Sequence, residues 1–303
     1  MKIIGAGIIG MSIAWRLAQR GLRVEVFDAG RVGGESSWAG AGMLAPGGEV
    51  DAASQLAKLT VDSLALYPDF VRELESESGL SIDFRRCGAI ERTANDARAH
   101  TQAALGIRSQ RLNADEVFYP DDAVVDPREV VQALSVACER RGVEIHENHR
   151  VTKIEGPVVL AAGAWSSSVE TPVPIAPAFP VRGHLISYRL EPGSVPHILR
   201  SGETYILQRK SGLTVAGSST ERAGFDRSVN PEIVVDIDRR ARAILPMLPA
   251  PHESWLGFRP ATISLEPQIG RLPGTGIFLA YGHYRNGILL APITADLAVE
   301  ELT

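Results

Sequence analysis

The chain is poor in cysteine. It has two among 303 residues, Cys87 and Cys138, too few for a disulfide framework or a cysteine metal site. Cys138 falls on the apolar face of a helical pattern and reads as a buried thiol. Cys87 follows Arg85-Arg86, whose charge can lower a thiol pKa, but a structural role is expected for both. No run of about 18 apolar residues occurs, so no membrane span is expected. Arg16 and Arg20 interrupt the first apolar stretch, so no signal peptide is expected and the cytoplasm is the default location. An excess of positive charge is also missing. There are 31 Lys and Arg against 36 Asp and Glu, a net charge of −5, which provides no basic footprint for nucleic acid or an anionic membrane. No serine–histidine–acid set, metal-ligand cluster, internal repeat or low-complexity tract is evident. The 45% hydrophobic and 22% charged residues match an ordinary globular chain, long enough for more than one domain.

What is present starts at once. Met1-Lys2-Ile3-Ile4 is a short apolar strand running into Gly5-Ala6-Gly7-Ile8-Ile9-Gly10, a G-x-G-x-x-G pattern. An amphipathic helix is predicted from Ile8 to about Gln19 and ended by Gly21. Leu22–Phe27 then reads as a second strand closed by Asp28. Gly5 permits the tight turn, Gly7 lets a pyrophosphate approach the backbone, and Gly10 lets helix and strand pack closely. The helix N-terminus offers unpaired N–H groups to phosphates, and Asp28 stands where an acid accepts hydrogen bonds from the adenosine ribose. Dinucleotide binding follows from this whole context, because the glycine pattern alone is weak.

Residues 33–48 are small and nearly uncharged, as suits backbone pressed against a bulky ligand rather than a flexible linker. Residues 52–79 carry helical periodicity, with Pro68 expected to bend or divide the helix and Gly79 to stop it. Residues 81–92 read as strand. Asp126-Pro127-Arg128-Glu129 opens a helix that runs to about Arg141. Three short strands follow, Val143–His146, Val151–Ile154 and Val158–Gly163. The last is continuously apolar and belongs beside the first strand in a sheet covered on both faces. Residues 180–218 look antiparallel: Val181–Leu190, then a hairpin of Thr204–Arg209 and Leu213–Gly217. A helix is predicted from about Pro231 to Met247, strands at Trp255–Pro260 and Gly276–Tyr281, and a closing helix over Ile288–Glu301. A chain that returns to its nucleotide sheet after antiparallel strands suggests two interleaved domains.

Three blocks of residues resemble the glycine oxidase branch of the D-amino-acid-oxidase-like FAD-dependent oxidoreductases. They are the N-terminal fingerprint with Ser36-Ser37 and Ala41–Pro46; Tyr205-Ile206-x-x-Arg209-Lys210-Ser211-Gly212 with Val215-Ala216-Gly217; and Trp255-x-Gly257-x-Arg259-Pro260 with Gly282–Pro292. The resemblance covers most of the chain in the same order. It implies an α/β fold: a Rossmann-like FAD domain of glutathione-reductase type, interleaved with an α+β substrate domain on an antiparallel sheet. The corresponding boundaries are 1–50, 126–165 and 255–303 for the first, and 51–125 and 166–254 for the second.

By the same resemblance the cofactor is FAD, held non-covalently, since no cysteine follows Cys138 and no histidine precedes His100. Its contacts would be Gly5, Gly7, Ile8, Ile9, Gly10, Asp28, Ser36, Ser37, Ala41, Gly42, Met43, Val151 and Gly163. The run His283, Tyr284, Arg285, Asn286, Gly287, Ile288 and Leu289 would pass the isoalloxazine, with a helix opening at Asn286-Gly287. Arg259, alone an ordinary strand arginine, matches the family's substrate-carboxylate arginine; a guanidinium binds a carboxylate through two parallel hydrogen bonds. Tyr205 matches a pocket tyrosine or is a half-buried strand aromatic. Arg285 faces flavin or substrate, or forms a loop salt bridge. Glu203 stands where relatives often have histidine and Thr220 where one may have methionine; Glu203 engages a substrate amine or sits in solvent. The segment between Val151 and Val158 is shorter than in relatives. The implied reaction removes a hydride from the α-carbon of glycine or another small amino acid to flavin N5. Imine hydrolysis and reoxidation by O2 to peroxide follow, in a thiamine-pathway setting and in a possible homo-oligomer. The alternatives are a D-amino-acid or sarcosine-type oxidase or dehydrogenase with another acceptor, and a flavin-binding subunit without turnover.

Overall fold

The computed structural model describes residues 1–92 and 96–303. Lys2–Ile4, the helix Ile8–Gln19 and Glu25–Phe27 form the opening strand–helix–strand unit. The second strand starts later than the Leu22–Phe27 run suggests. The amides of Arg20, Gly21 and Leu22 are spent closing the helix on the carbonyls of Leu17 and Ala18. Lys2–Ile4 pairs in parallel with Glu25–Phe27 on one side and Val158–Leu160 on the other, as the continuous apolar strand requires. Glu144–His146 and Ile277–Tyr281 extend the sheet in parallel, and Gln268–Arg271 adds an antiparallel edge. Side chains alternate between the faces. Ile3, Val26, Val159 and Phe278 pack in one core with the helices Ile8–Gln19, Pro127–Arg140 and Ala291–Leu302, while Ile4, Leu160, Leu279 and Tyr281 join a separate cluster.

Val151–Ile154 is not a strand. It makes one isolated bridge, Lys153 to Glu170, because the turn at Gly156 (φ 76°) sends the chain directly into Val158–Leu160. The helix Pro127–Arg140 starts as expected, with the Asp126 carboxylate accepting from Arg128 N at 2.9 Å. Glu129 does not close a reciprocal box. It accepts from the Asp83 amide at 2.5 Å and ties the helix start to the strand Phe84–Arg85. The long helix Gln55–Ser78 runs unbroken through Pro68, correcting the expected division. Proline removes one helical hydrogen bond, but Leu64, Tyr67, Phe70, Val71 and Leu74 bury one continuous face across it. The expected strand over 81–92 is split into Phe84–Arg85 and Ala89–Arg92 around Gly88, whose φ is 68°.

The second sheet has eight strands in the order Glu253–Ala261, Phe179–Arg189, Leu213–Gly217, Thr204–Gln208, Ile198–Ser201, Ala89–Arg92, Glu116–Tyr119, Gln110–Arg111. Its hairpin turns at Lys210-Ser211-Gly212 as expected. The helix Pro231–Ile244 covers one face through Ile237, Ala241 and Ile244 against Ile186, Tyr188 and Ile206. It stops short of Met247 because Pro246 disfavours helical backbone at Leu245. Glu253–Ala261 pairs along its length with Phe179–Arg189, so the Trp255–Pro260 strand, grouped above with the nucleotide-binding segments, is hydrogen-bonded into the second sheet. Met43–Leu44, Ala123–Val125 and Phe84–Arg85 form a small third sheet. Both cysteines are free, and burial raises both thiols, Cys138 to about 12; at Cys87 it outweighs the nearby Arg85. Among the described residues no helix is long and apolar enough to cross a membrane.

Candidate active site

Parallel strands end side by side at Gly5, Asp28, Ala161 and Tyr281. These ends line a cavity of about 460 Å³, in the place where open α/β sheets bind ligands. The second sheet supplies further wall residues, Gly183, Leu185, Tyr205, Phe258 and Arg259 among them. The candidate cofactor residues from Gly5 to Met43, Val151, Gly163 and the run His283–Leu289 all line this cavity, with one exception. Gly10 lies behind the wall, where a Cβ would stand 1.9 Å from the Gly5 carbonyl oxygen. Its role is the close packing of helix on strand.

The glycine-rich turn is built to leave room. Gly5 adopts φ 108°, and a Cβ there would meet the Ala161 oxygen at 2.3 Å. At Gly7 a Cβ would meet only the Ser37 hydroxyl, at 3.4 Å. The first amides of the following helix have no intrahelical acceptor; that of Ile8 donates to Ser37 Oγ at 2.9 Å. Ser36 donates to the Phe258 carbonyl, which ties this loop to the second sheet. Asp28 accepts from Ala6 N and Gly30 N, each at 2.7 Å. Its carboxylate therefore holds the turn as well as facing the cavity.

The C-terminal wall differs from expectation in one respect. Residues 287–290 form turns, and the helix begins only at Ala291. The Leu290 amide already bonds Asn286 O at 2.8 Å, a helical spacing, but Pro292 sits in the first helical turn and marks the true start. The long helix pins this turn: Tyr67 and Ser63 donate to the carbonyls of Ile288 and Leu289, each at 2.6 Å. His283 is buried against Thr294 Oγ1 at 3.1 Å, and burial drives its pKa down to about 3, so its imidazole is neutral. Tyr284 sits at φ 49° with its amide on Pro260 O at 2.8 Å. A bulky residue seldom adopts that conformation.

Arg259 donates through Nη1 to Ser219 O at 3.0 Å and through Nη2 to Ser218 Oγ at 2.7 Å. No carboxylate pairs with it among the described residues, and burial lowers its pKa. Space for the guanidinium comes from Gly183, where a Cβ would lie 2.3 Å from Nη1. The Tyr205 hydroxyl would be 2.9 Å from a Cβ at Gly217, and burial raises its pKa, with Arg259 and Arg285 opposing. Arg285 lines the cavity and donates to Glu49 Oε1 at 3.4 Å. Glu203 and Thr220 are exposed and do not line it.

Several site residues lie outside the sequence-based set. They are Gly183, Ser218, Glu49 and Arg209, whose buried guanidinium donates to Ala41 O at 2.5 Å and to Val125 O. The available signal was Gly183 itself, because glycine inside a strand often marks a close approach.

Residues 2–301 match the DAO family, the FAD dependent oxidoreductases. The chain belongs to this family. It is 30% identical to the glycine oxidase of Pseudomonas aeruginosa over 98% of this chain and 93% of that protein. It is 32% identical to the bifunctional protein ThiO/ThiG of Synechocystis over 97% of this chain, but spans only 50% of that protein's length. The crystal structure of glycine oxidase from Geobacillus kaustophilus superposes with a TM-score of 0.92 at 27% identity, covering 99% of this chain and 93% of that one. The family's cofactor is FAD. The residues present fit it: an open position at Gly7, helix-start amides beside it, Asp28 at the next strand end, and a long cavity running on to Arg259.

Proposed function

We propose that the protein oxidatively deaminates glycine or another small amino acid, using bound FAD and releasing an oxo acid and ammonia. The observation that carries this reading is Arg259: a cation on the cavity wall with no acidic partner among the described residues. Desolvating a charge is costly unless something compensates it, and a substrate carboxylate does so through two parallel hydrogen bonds. Tyr205 adds a hydroxyl donor to the same anion. Gly5, Gly7, Asp28, the 33–43 segment and the 283–289 run would hold the cofactor. Bound FAD supplies a two-electron acceptor for the substrate α-C–H bond. His283, its pKa driven down by burial, is a weak base, and Arg259 is a bonded cation, so no side chain is needed to take a proton: the substrate enters with a neutral amine, and water takes up the proton released as the imine hydrolyses. Glycine is favoured over larger substrates by the glycine oxidase relatives, and the ThiO/ThiG relative supports a role in the thiamine pathway. O2 as the final acceptor, the division into two interleaved domains, a cytoplasmic location and a homo-oligomer belong to the same proposal.

The test is anaerobic. Purified yellow protein is mixed separately with glycine, sarcosine and D-alanine, and the visible spectrum is followed. Bleaching by one of them, with recovery and peroxide on admitting air, is the expected result. Bleaching without rapid recovery would identify a dehydrogenase with another acceptor. A yellow protein that none of the three bleaches would overturn the substrate assignment.

A further inference from the structure

Glu49 and Arg285 both line the cavity, and their side chains meet at 3.4 Å. They are 22% and 28% exposed, so solvent screens the pair only partly. On its other side the same Glu49 oxygen lies 3.7 Å from Arg200 Nη2. Arg200 is fixed in turn by the Gly48 carbonyl at 2.8 Å and by Glu91 at 3.3 Å. The Glu49 carboxylate is thus held in place from behind, directly after the short 3-10 turn Pro46–Gly48.

The charge count at the substrate end follows. Arg259, Arg285 and Glu49 line the wall there; Arg227, also on the wall, is paired with Glu35 at 2.7 Å, and the exposed Glu203, off the wall, acts on Arg285 after Glu49. Glu49 acts first on Arg285, whose pKa it raises, while Arg285 and Arg259 repel each other. One positive charge is therefore compensated and one is left over.

We propose that Glu49 is a specificity-determining residue: by neutralising Arg285 it limits the cavity to substrates with a single acidic group. The proposal rests on the amino-acid reading of the Arg259 site. A ligand with a second carboxylate meets a cation already taken and an uncompensated like charge, a repulsive element of the kind that separates similar ligands. Without Glu49, Arg285 becomes a second anion site beside the first.

The experiment uses oxidised holoenzyme and two ligands that lack an amine, glycolate with one carboxylate and diglycolate with two. Each is titrated while the flavin spectrum is followed, and the readout is the ratio of the two dissociation constants. In Glu49→Gln the ratio is expected to move toward diglycolate by about tenfold or more, the gain of one charge-assisted hydrogen bond. The double variant Glu49→Gln/Arg285→Leu should lose that shift. Arg285→Leu alone bares Glu49 and should weaken diglycolate relative to glycolate, which keeps the test decisive if Glu49→Gln fails to fold. Glycolate binding with an unchanged ratio in these variants overturns the role of Glu49 and leaves the amino-acid reading standing. No response to glycolate in the wild-type protein overturns that reading, and the proposal with it.

Discussion

A single methyl group at Gly183 should disable the site without unfolding the protein. In Gly183→Ala the new Cβ would stand 2.3 Å from Arg259 Nη1 and 2.6 Å from Cζ. Ordinary van der Waals contact begins near 3.4 Å, so the guanidinium must retreat by about 1 Å, a displacement that can cost about 10²-fold in rate. The strand has no reason to move instead. Gly183 lacks a positive φ, and the obstacle is the end of a flexible side chain. The displaced Arg259 gives up its bonds to Ser218 and Ser219 but turns into the cavity it lines, where water replaces them, and alanine recovers about 0.5–1 kcal/mol over glycine within a strand, so net stability should change little. Three quantities decide the matter: kcat/KM from peroxide release, FAD content from the visible-to-ultraviolet absorbance ratio, and the thermal midpoint. The expected result is a kcat/KM lower by about 10²-fold with the other two near wild type. Wild-type kcat/KM would refute the idea that the guanidinium must occupy the gap over Gly183. Loss of FAD or a collapsed midpoint would show instead that Gly183 supports the fold.

Arg259→Met should lower kcat/KM by roughly 30- to 10³-fold, about 2–4 kcal/mol for a charged hydrogen-bonded partner. The urea midpoint should hold or rise, because a desolvated cation is removed; a wild-type kcat/KM would contradict the assignment. Arg209→Met should destabilise the protein by about 2–5 kcal/mol, since two buried carbonyls, Ala41 and Val125, lose their donor. It should also loosen FAD in a titration of the apoprotein, and unchanged values in both measurements would remove Arg209 as a support of the cofactor wall. Asp122 is fully buried, accepts from the Gly47 amide at 3.2 Å, and has its carboxyl pushed up to about 8 by burial, with Arg200 opposing and Glu49 reinforcing. The folded state therefore holds a proton that the unfolded chain releases near pH 4. This contribution is present below pH 4 and is lost as pH rises through 8. Asp122→Asn should remove that slope, so its stability relative to wild type should improve between pH 5 and pH 9 in parallel urea titrations; equal slopes would sink the argument.

The cofactor half of the cavity was legible in the sequence because it is local. Gly5, Gly7 and Gly10 follow a strand and open a helix, and the geometry each must adopt is set by neighbours within one strand–helix–strand unit. The small residues after Gly33 signalled the same wall, and the cavity runs along them. Arg259 and Tyr205 were legible only by resemblance, since nothing near them in the chain says what they face. The partners that define them lie on other strands: Gly183 makes the gap, Ser218 and Ser219 take the guanidinium, and Glu49 answers Arg285 from a turn. Helix starts misled where hydrogen-bond spacing and helix coincide, as between Asn286 and Leu290, and strands misled where alternation has no partner, as at Val151–Ile154. Pairing between distant segments is thus the missing information. Glycine partly encodes it, because a residue with no side chain inside an eleven-residue strand leaves a space that something else must occupy. At Gly183 that occupant is Arg259, the residue on which the proposed chemistry depends.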